Sequence, residues 1–155
     1  MNNRAEIEDF LAQKRVAVVG VSRDPRDFSR RLLRDLIERG YDAVPVNPHA
    51  EEVEGRLCFA RIQDITPPVQ AALVMTAPEK TGEVVRDCSA AGVTRIWMHR
   101  GVGRGAVSAE AMDLCHDHGL HLVAGLCPYM FLLEAGWFHH VHWWFRKSLG
   151  GRREV

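Results

Sequence analysis

The sequence lacks an excess of charge of either sign, because 20 Lys and Arg residues are matched by 20 Asp and Glu residues. A chain without net charge has no overall field that attracts nucleic acid, so we expect no nucleic-acid partner and only a local anion site. No apolar run is long enough to span a bilayer, and the polar N-terminus MNNRAEIEDFL lacks the apolar core of a signal peptide. The four cysteines are scattered and form no C-x-x-C pair. Together these absences predict a cytoplasmic protein with reduced thiols and no membrane partner.

What the sequence does contain is a regular alternation of short apolar runs and amphipathic segments over 155 residues. The apolar runs predict strands at 15–20, 41–48, 55–60 (a short edge strand), 70–76, 94–99 and 120–125. Helical spacing, mostly closed by a glycine, predicts helices at 6–13, 28–39, 79–91 and 108–118. Strands that alternate with helices are parallel and joined by right-handed crossovers. The predicted fold class is α/β: one Rossmann-like three-layer domain over residues 1–155, with a parallel sheet of about five strands.

The turn after the first strand, GVSRDPRDFS, predicts a phosphate site, because ligands of open α/β sheets bind outside the carboxyl ends of the strands. Gly20 permits close approach of the backbone, and the helix that begins at Phe28 offers free N–H groups and a positive dipole end. The polar side chains that can add hydrogen bonds to phosphate are those of Ser22, Arg23, Arg26, Ser29 and Arg30. The structural alternative is a tight turn surrounded by solvated arginines.

The end of the second strand, VPVNPHA, distinguishes between nucleotides. NAD sites need an Asp or Glu here to bind the ribose 2′-hydroxyl, but the residues present are Asn47, Pro48 and His49. A carboxylate would repel a phosphate on that ribose, whereas a neutral Asn and a titratable His would not. The site therefore favours a nucleotide with an extra ribose phosphate, and both NADP and coenzyme A meet this requirement.

Several motifs resemble those of the small stand-alone CoA-binding domain proteins, which in turn resemble the nucleotide domain of the succinyl-CoA synthetase alpha subunit. The resemblance covers roughly residues 14–128, the expected domain core. Its motifs are VAVVGVS, GYDAVPVNP, Gly55, IQDITPPV, Gly101-Val102 and Cys127-Pro128. The most specific part is the one-glycine VGVS loop followed at the expected distance by VPVNP.

The resemblance implies that coenzyme A is the ligand, and it implies positions for its parts. The residues implied at the pyrophosphate are Gly20, Val21 and Ser22, with Ser29 and Arg30 at the start of the following helix. Asn47 and Pro48 are implied near the adenosine, and Thr76, Ala77 and Pro78 beyond the strand at 70–76. The phosphorylated histidine of the synthetase belongs to a second domain that this sequence is too short to contain, so no ligase activity is expected.

Two histidine-rich stretches, CHDHGLH and FHHVHWW, have spacings that can place two imidazoles near one metal. Neither stretch has the H-E-x-x-H spacing, and we interpret both as surface histidines and predict no metal site. Cys127 follows the last strand, where a pantetheine thiol could form a mixed disulfide, but free cysteine is more often a small buried apolar residue. His99 ends another strand, and no set of nucleophile, base and orienting residue is evident. We therefore predict no catalytic residue.

The aromatic stretch at 129–147 predicts a C-terminal helix beyond the common core, with Trp137, Val141 and Trp144 on its buried face. Packing on the sheet or on a second subunit is preferred to a membrane-surface helix. Trp143 cannot point inward together with Trp144, because neighbouring residues on a helix lie about 100° apart. An exposed tryptophan there predicts a homodimer.

Three functional hypotheses follow from these features. The first is a cytoplasmic protein that binds CoA or acyl-CoA as a carrier, sensor or regulator without catalysis. The second is an enzyme that uses NADP, or one that uses an acyl-CoA and Cys127. The third is a nucleotide-responsive module whose aromatic tail binds another protein.

Overall fold

The structure, a computed structural model, describes residues 2–101 and 103–132. Its strands are β1 (Arg15–Val19), β2 (Asp42–Val46), β3 (Glu52–Val53), β4 (Arg56–Leu57), β5 (Ala71–Val74), β6 (Arg95–His99) and β7 (His121–Leu126). Its helices are α1 (Arg4–Leu11), α2 (Phe28–Glu38), α3 (Pro78–Ala90) and α4 (Ala109–Asp117). A short 3-10 turn covers Ile62–Asp64.

The main sheet has five strands in the order β2-β1-β5-β6-β7, and every neighbouring pair is parallel. If the two hairpin strands are left out and the five strands of this sheet are numbered from 1 to 5 along the chain, the order is 2-1-3-4-5, one of the two common doubly wound orders. The predicted α/β fold is therefore confirmed. The chain reverses its direction of winding between β1 and β5, so the switch point where ligands bind in such sheets lies between their carboxyl ends.

The sheet is covered on both faces because residues along each strand alternate between them. In β1, Ala17 and Val19 belong to the core cluster that includes α3 and α4, whereas Val16 and Val18 belong to the cluster beneath α1 and α2. Trp97 of β6 is completely buried on the α1 and α2 side. The two cores hold the central strands rigidly and leave the turns at their ends at the surface.

The segment expected as an edge strand at 55–60 takes a different form. Only Arg56–Leu57 is extended there, and it pairs antiparallel with Glu52–Val53 in a separate two-stranded hairpin. Beyond the hairpin, Phe59 makes a single parallel bridge to Val46 of β2. The expected edge strand is therefore present only in part: Arg56–Leu57 is a strand of the hairpin, and the contact of this segment with the edge of the main sheet is limited to Phe59.

Most of the helix predicted at 129–147 lies outside the described residues. Residues 129–132 are helical, and Leu132 is buried against the α1 and α2 side of the sheet. Trp137, Val141, Trp143 and Trp144 fall outside the described part of the chain. Within that part, no helix has both the length and the apolar character needed to cross a bilayer.

Candidate functional site

The turns after β1 and β5 touch each other at Gly20. This residue has φ +90°, and a Cβ built on it would lie 2.9 Å from the Thr76 backbone nitrogen and 3.0 Å from the Met75 carbonyl carbon. Its own N–H donates to the Val46 carbonyl of β2 at 3.1 Å. Glycine is therefore required for the packing of three strand ends, in addition to any approach by a phosphate.

The polar groups between β1 and α2 are hydrogen-bonded to one another. Asp27 caps α2, and its Oδ1 accepts from the Ser29 backbone N–H at 2.8 Å and from the Ser29 hydroxyl at 2.5 Å. The Ser29 hydroxyl oxygen in turn accepts from the Ser22 backbone N–H at 2.9 Å. Ser29 is only 3% exposed. This serine therefore fixes the turn, and a carboxylate already occupies part of the positive end of α2.

Arg30 is also held by the protein. Its guanidinium is paired with Glu54 at 2.7 Å and donates from Nη1 to the Arg23 carbonyl oxygen at 3.0 Å. The same Glu54 oxygen accepts from Arg34 at 2.9 Å. Glu54 lies at the tip of the hairpin with φ +52°, a conformation that non-glycine residues seldom adopt. The ion-pair cluster thus joins α2, the hairpin and the turn after β1.

The other two arginines of this turn, Arg23 and Arg26, differ in whether a carboxylate pairs with them. Arg26 pairs with Asp24 at 3.3 Å, and hydrogen bonds from the backbone N–H and then the side chain of Arg26 lower the pKa of that carboxyl. Arg23 is exposed, and its backbone carbonyl is the acceptor for Arg30. Arg23 is therefore the predicted phosphate-binding arginine that the structure leaves most available to a ligand.

Asn47 connects the end of β2 to the turn after β1. Its Nδ2 donates to the Val21 carbonyl at 2.7 Å, and its Oδ1 accepts from the His49 backbone N–H at 2.7 Å. Val21 is fully buried, whereas Pro48 and His49 are exposed. We use the term cleft for the space at the carboxyl ends of β1, β2 and β5, and the term rim for the exposed residues Pro48 and His49. Asn47 links two of these strand ends through its side chain.

The end of β5 contributes the start of a second helix. Thr76 shares a hydrogen bond with Thr81 at 3.2 Å between hydroxyl oxygens, and α3 begins at Pro78 with Ala77 as its N-cap. No side chain caps this helix, in contrast to α2. However, the Glu79 carboxylate lies in the first turn of α3 and accepts from its own backbone N–H, so a carboxylate stands at the start of both helices.

An aromatic cluster that sequence patterns did not reveal lies on the other side of this cleft. The His99 ring at the end of β6 stacks on Phe28, with ring centroids 5.1 Å apart and planes at 30°. Tyr129 packs edge-on against Phe28 at 5.7 Å, and its hydroxyl hydrogen-bonds Asp35. Burial lowers the pKa of His99, whereas burial and then Asp35 raise the pKa of Tyr129. The position of His99 at a strand end was the only sequence signal for this cluster.

The cysteines and histidines are spread over the fold. All four cysteines are free thiols, and Cys127 is half-buried after β7. Burial raises the pKa of Cys115 to about 11 and that of Cys58 less strongly. In residues 2–101 and 103–132, no three His, Cys, Asp or Glu side chains are grouped to hold a metal ion. His139, His140 and His142 lie outside the described residues.

Comparison with known proteins gives relatives of two kinds. An uncharacterized Bacillus subtilis protein, YneT, is 27% identical over 126 residues, which cover 81% of this chain and 90% of YneT. The alpha subunit of ADP-forming acetate–CoA ligase II from Pyrococcus furiosus is 23% identical over 128 residues. That match covers 78% of this chain but only 28% of the ligase subunit.

Solved structures include proteins with the same fold and a similar sequence. A hypothetical protein from Pyrococcus horikoshii superimposes with a TM-score of 0.74 at 29% identity, covering 83% of this chain and 87% of that one. The sequence profile of the family described as CoA binding domain matches residues 14–132. This match agrees with the resemblance carried by the VGVS and VPVNP motifs. The chain therefore belongs to the CoA binding domain family.

Proposed function

We propose that this protein binds coenzyme A or an acyl-CoA in the cleft at the carboxyl ends of β1, β2 and β5. In this proposal it acts in the cytoplasm as a carrier, sensor or regulator, without ligase activity. Membership of the CoA binding domain family supports the ligand class. The free state of all four thiols is in keeping with a reducing compartment.

The observation that carries the proposal is that the polar side chains of the cleft are held by the protein itself. Ser29 bonds Asp27, Arg30 pairs with Glu54, and Asn47 donates to the Val21 carbonyl. A serine and a carboxylate can form a nucleophile–base pair, but Ser29 is only 3% exposed and its partner Asp27 is the N-cap of α2. Side chains whose hydrogen bonds are already made within the protein fix the shape of a site before the ligand binds. This lowers the conformational entropy that is lost on binding.

The rim of the cleft favours a ligand with a ribose phosphate. Arg23 and His49 are both exposed, and each follows by two residues a member of the contact between Val21 and Asn47. The end of β2 carries no carboxylate until Glu51. A 3′-phosphate therefore meets positive or neutral groups there, which supports CoA over NAD.

The first experiment identifies the ligand that the protein retains. Mass spectrometry of freshly purified, denatured protein should detect CoA or an acyl-CoA, and NADP in its place would contradict the proposal. Calorimetry should give tighter binding for CoA than for dephospho-CoA. Steady hydrolysis of added acetyl-CoA would contradict a carrier role and favour an acyl-CoA enzyme.

A charge change at the rim tests the position of the 3′-phosphate. His49→Glu introduces a carboxylate at the end of β2 and should weaken binding of CoA while leaving dephospho-CoA unchanged. His118→Glu makes the same change at the exposed C-cap of α4, three residues before β7 begins and therefore at the amino end of the strands, and should alter neither affinity. Equal affinities of the His49→Glu variant and the wild type for CoA would refute this placement.

A further inference from the structure

His99 contains a buried polar atom without a partner. Its Nε2 is shielded from solvent and has no hydrogen-bond partner among the described residues. Leaving a buried donor or acceptor unpaired is costly, and such groups in native proteins are normally paired. A nitrogen of this kind at the ligand edge of an α/β sheet indicates a partner that arrives with a ligand.

Two neighbours of the His99 ring, Phe28 and Gly101, leave room around it. Phe28 stacks on the imidazole, yet Phe28 is itself 40% exposed at the first position of α2. A Cβ built on Gly101 would lie 3.4 Å from His99 Cε1 and 3.5 Å from Nε2, so the glycine leaves room at this edge of the ring. The imidazole therefore has an exposed aromatic ring on one face and a glycine at its Nε2 edge, where no side chain stands in the plane in which the nitrogen bonds.

The position of His99 relates it to one part of the CoA molecule. In the sheet, β2 and β6 flank the central pair β1 and β5 on opposite sides. With the phosphates above the contact between Gly20 and Thr76 and the nucleotide toward β2, the rest of the ligand leaves toward β6. Adjacent strands lie about 4.8 Å apart, so the end of β6 is within reach of the first part of a pantetheine arm.

We propose that His99 hydrogen-bonds through Nε2 to the pantetheine arm of the bound ligand, and that Gly101 keeps this edge of the imidazole open. This inference rests on the proposed function, because it requires CoA in the cleft. The arm carries amide groups, which pair with one nitrogen of a neutral imidazole. Burial favours the neutral form of His99, and the exposed Phe28 ring beside it offers the arm an apolar surface.

Two variants address the same nitrogen in different ways. His99→Phe retains a flat ring that can stack on Phe28 but removes the nitrogen. Gly101→Ala retains His99 and places a methyl group beside Nε2 at ordinary contact distance. Calorimetry of each variant with CoA and with 3′-phospho-ADP, which lacks the arm, separates recognition of the arm from recognition of the nucleotide.

Both variants should bind CoA about tenfold more weakly, the factor that corresponds to one neutral hydrogen bond. Binding of 3′-phospho-ADP should be unchanged in both. The control His118→Phe removes an exposed imidazole at the end of α4 and should bind both ligands as the wild type does.

The possible outcomes separate this inference from the proposed function. Unchanged CoA affinity in both variants, or equal weakening for both ligands, overturns the role of His99 and leaves CoA binding standing. A wild type that binds neither ligand overturns the proposed function itself. If His99→Phe does not fold, Gly101→Ala decides the matter by the same comparison, because no φ strain or close contact accompanies its methyl group.

Discussion

Replacement of Gly20 by alanine should destabilise the fold even without ligand, because this glycine brings three strand ends together. Its φ of +90° disfavours any side chain, and the new Cβ would lie 2.9 Å from the Thr76 backbone nitrogen. A left-handed conformation costs an L-residue about 1–2 kcal/mol, and overpacking against a fixed neighbour costs about 1–3 kcal/mol more. Gly20→Ala should therefore lower the free energy of unfolding by about 2–5 kcal/mol.

Gly40 provides a matched control for this prediction. It has nearly the same φ, +89°, but no atom lies within 4 Å of a Cβ built there. Gly40→Ala should thus cost only the backbone contribution of about 1–2 kcal/mol. The difference between the two variants isolates the steric contact with Thr76.

Urea unfolding of the ligand-free proteins, followed by tryptophan fluorescence, measures this difference, since Trp97 is completely buried in the core. Equal losses of stability in the two variants would refute the packing argument. If Gly20→Ala then also lost CoA binding, the glycine would serve the approach of phosphate alone, which is the reason that the sequence suggested.

Three other predictions follow from the same contacts. Asn47→Asp removes the donor to the Val21 carbonyl and should lower the unfolding free energy by about 1–3 kcal/mol, whereas an unchanged melting curve would show that this contact is dispensable. Because burial lowers the pKa of folded His99, the unfolded imidazole binds a proton first as the pH falls below its ordinary value of 6.5. Stability should therefore decrease as the pH falls through this range, and part of that slope should be absent in His99→Phe. The homodimer predicted from the aromatic stretch at 129–147 should sediment as a monomer in Trp143→Ala, and a monomeric wild type would remove that prediction.

The main elements could be predicted because their signals are local. The helix expected at 28–39 is observed at Phe28–Glu38, since Leu32, Leu33 and Leu36 recur at helical spacing and Asp27 caps the first turn. The strand at Arg15–Val19 follows from four consecutive buried apolar residues. The parallel sheet then follows from the alternation of such elements and needs no information about contacts between distant residues.

The role of each polar side chain could not be predicted in this way. The sequence predicts Arg30 at the phosphate but not its partner Glu54, which lies 24 residues away in a hairpin with no periodic signal. The sequence indicates only that Asn47 is neutral and does not repel a ribose phosphate. In the structure its amide also joins the ends of two strands. In both cases the local sequence gives the residue type, but the partner is chosen by the tertiary fold.

The number of arginines near the first turn overstates the charge available to a ligand. Glu54 neutralises part of the charge of Arg30 and Arg34, and Asp24 pairs with Arg26. Asp27 caps the start of α2, and Glu79 lies in the first turn of α3. Attraction of an anion is therefore left mainly to Arg23 and the rim, and this positive charge does not distinguish one nucleotide from another. It follows that a preference for CoA among nucleotides with similar phosphates has to arise from shape and from contacts with the arm, and His99 is the described residue with an unused hydrogen-bonding atom on that side of the cleft.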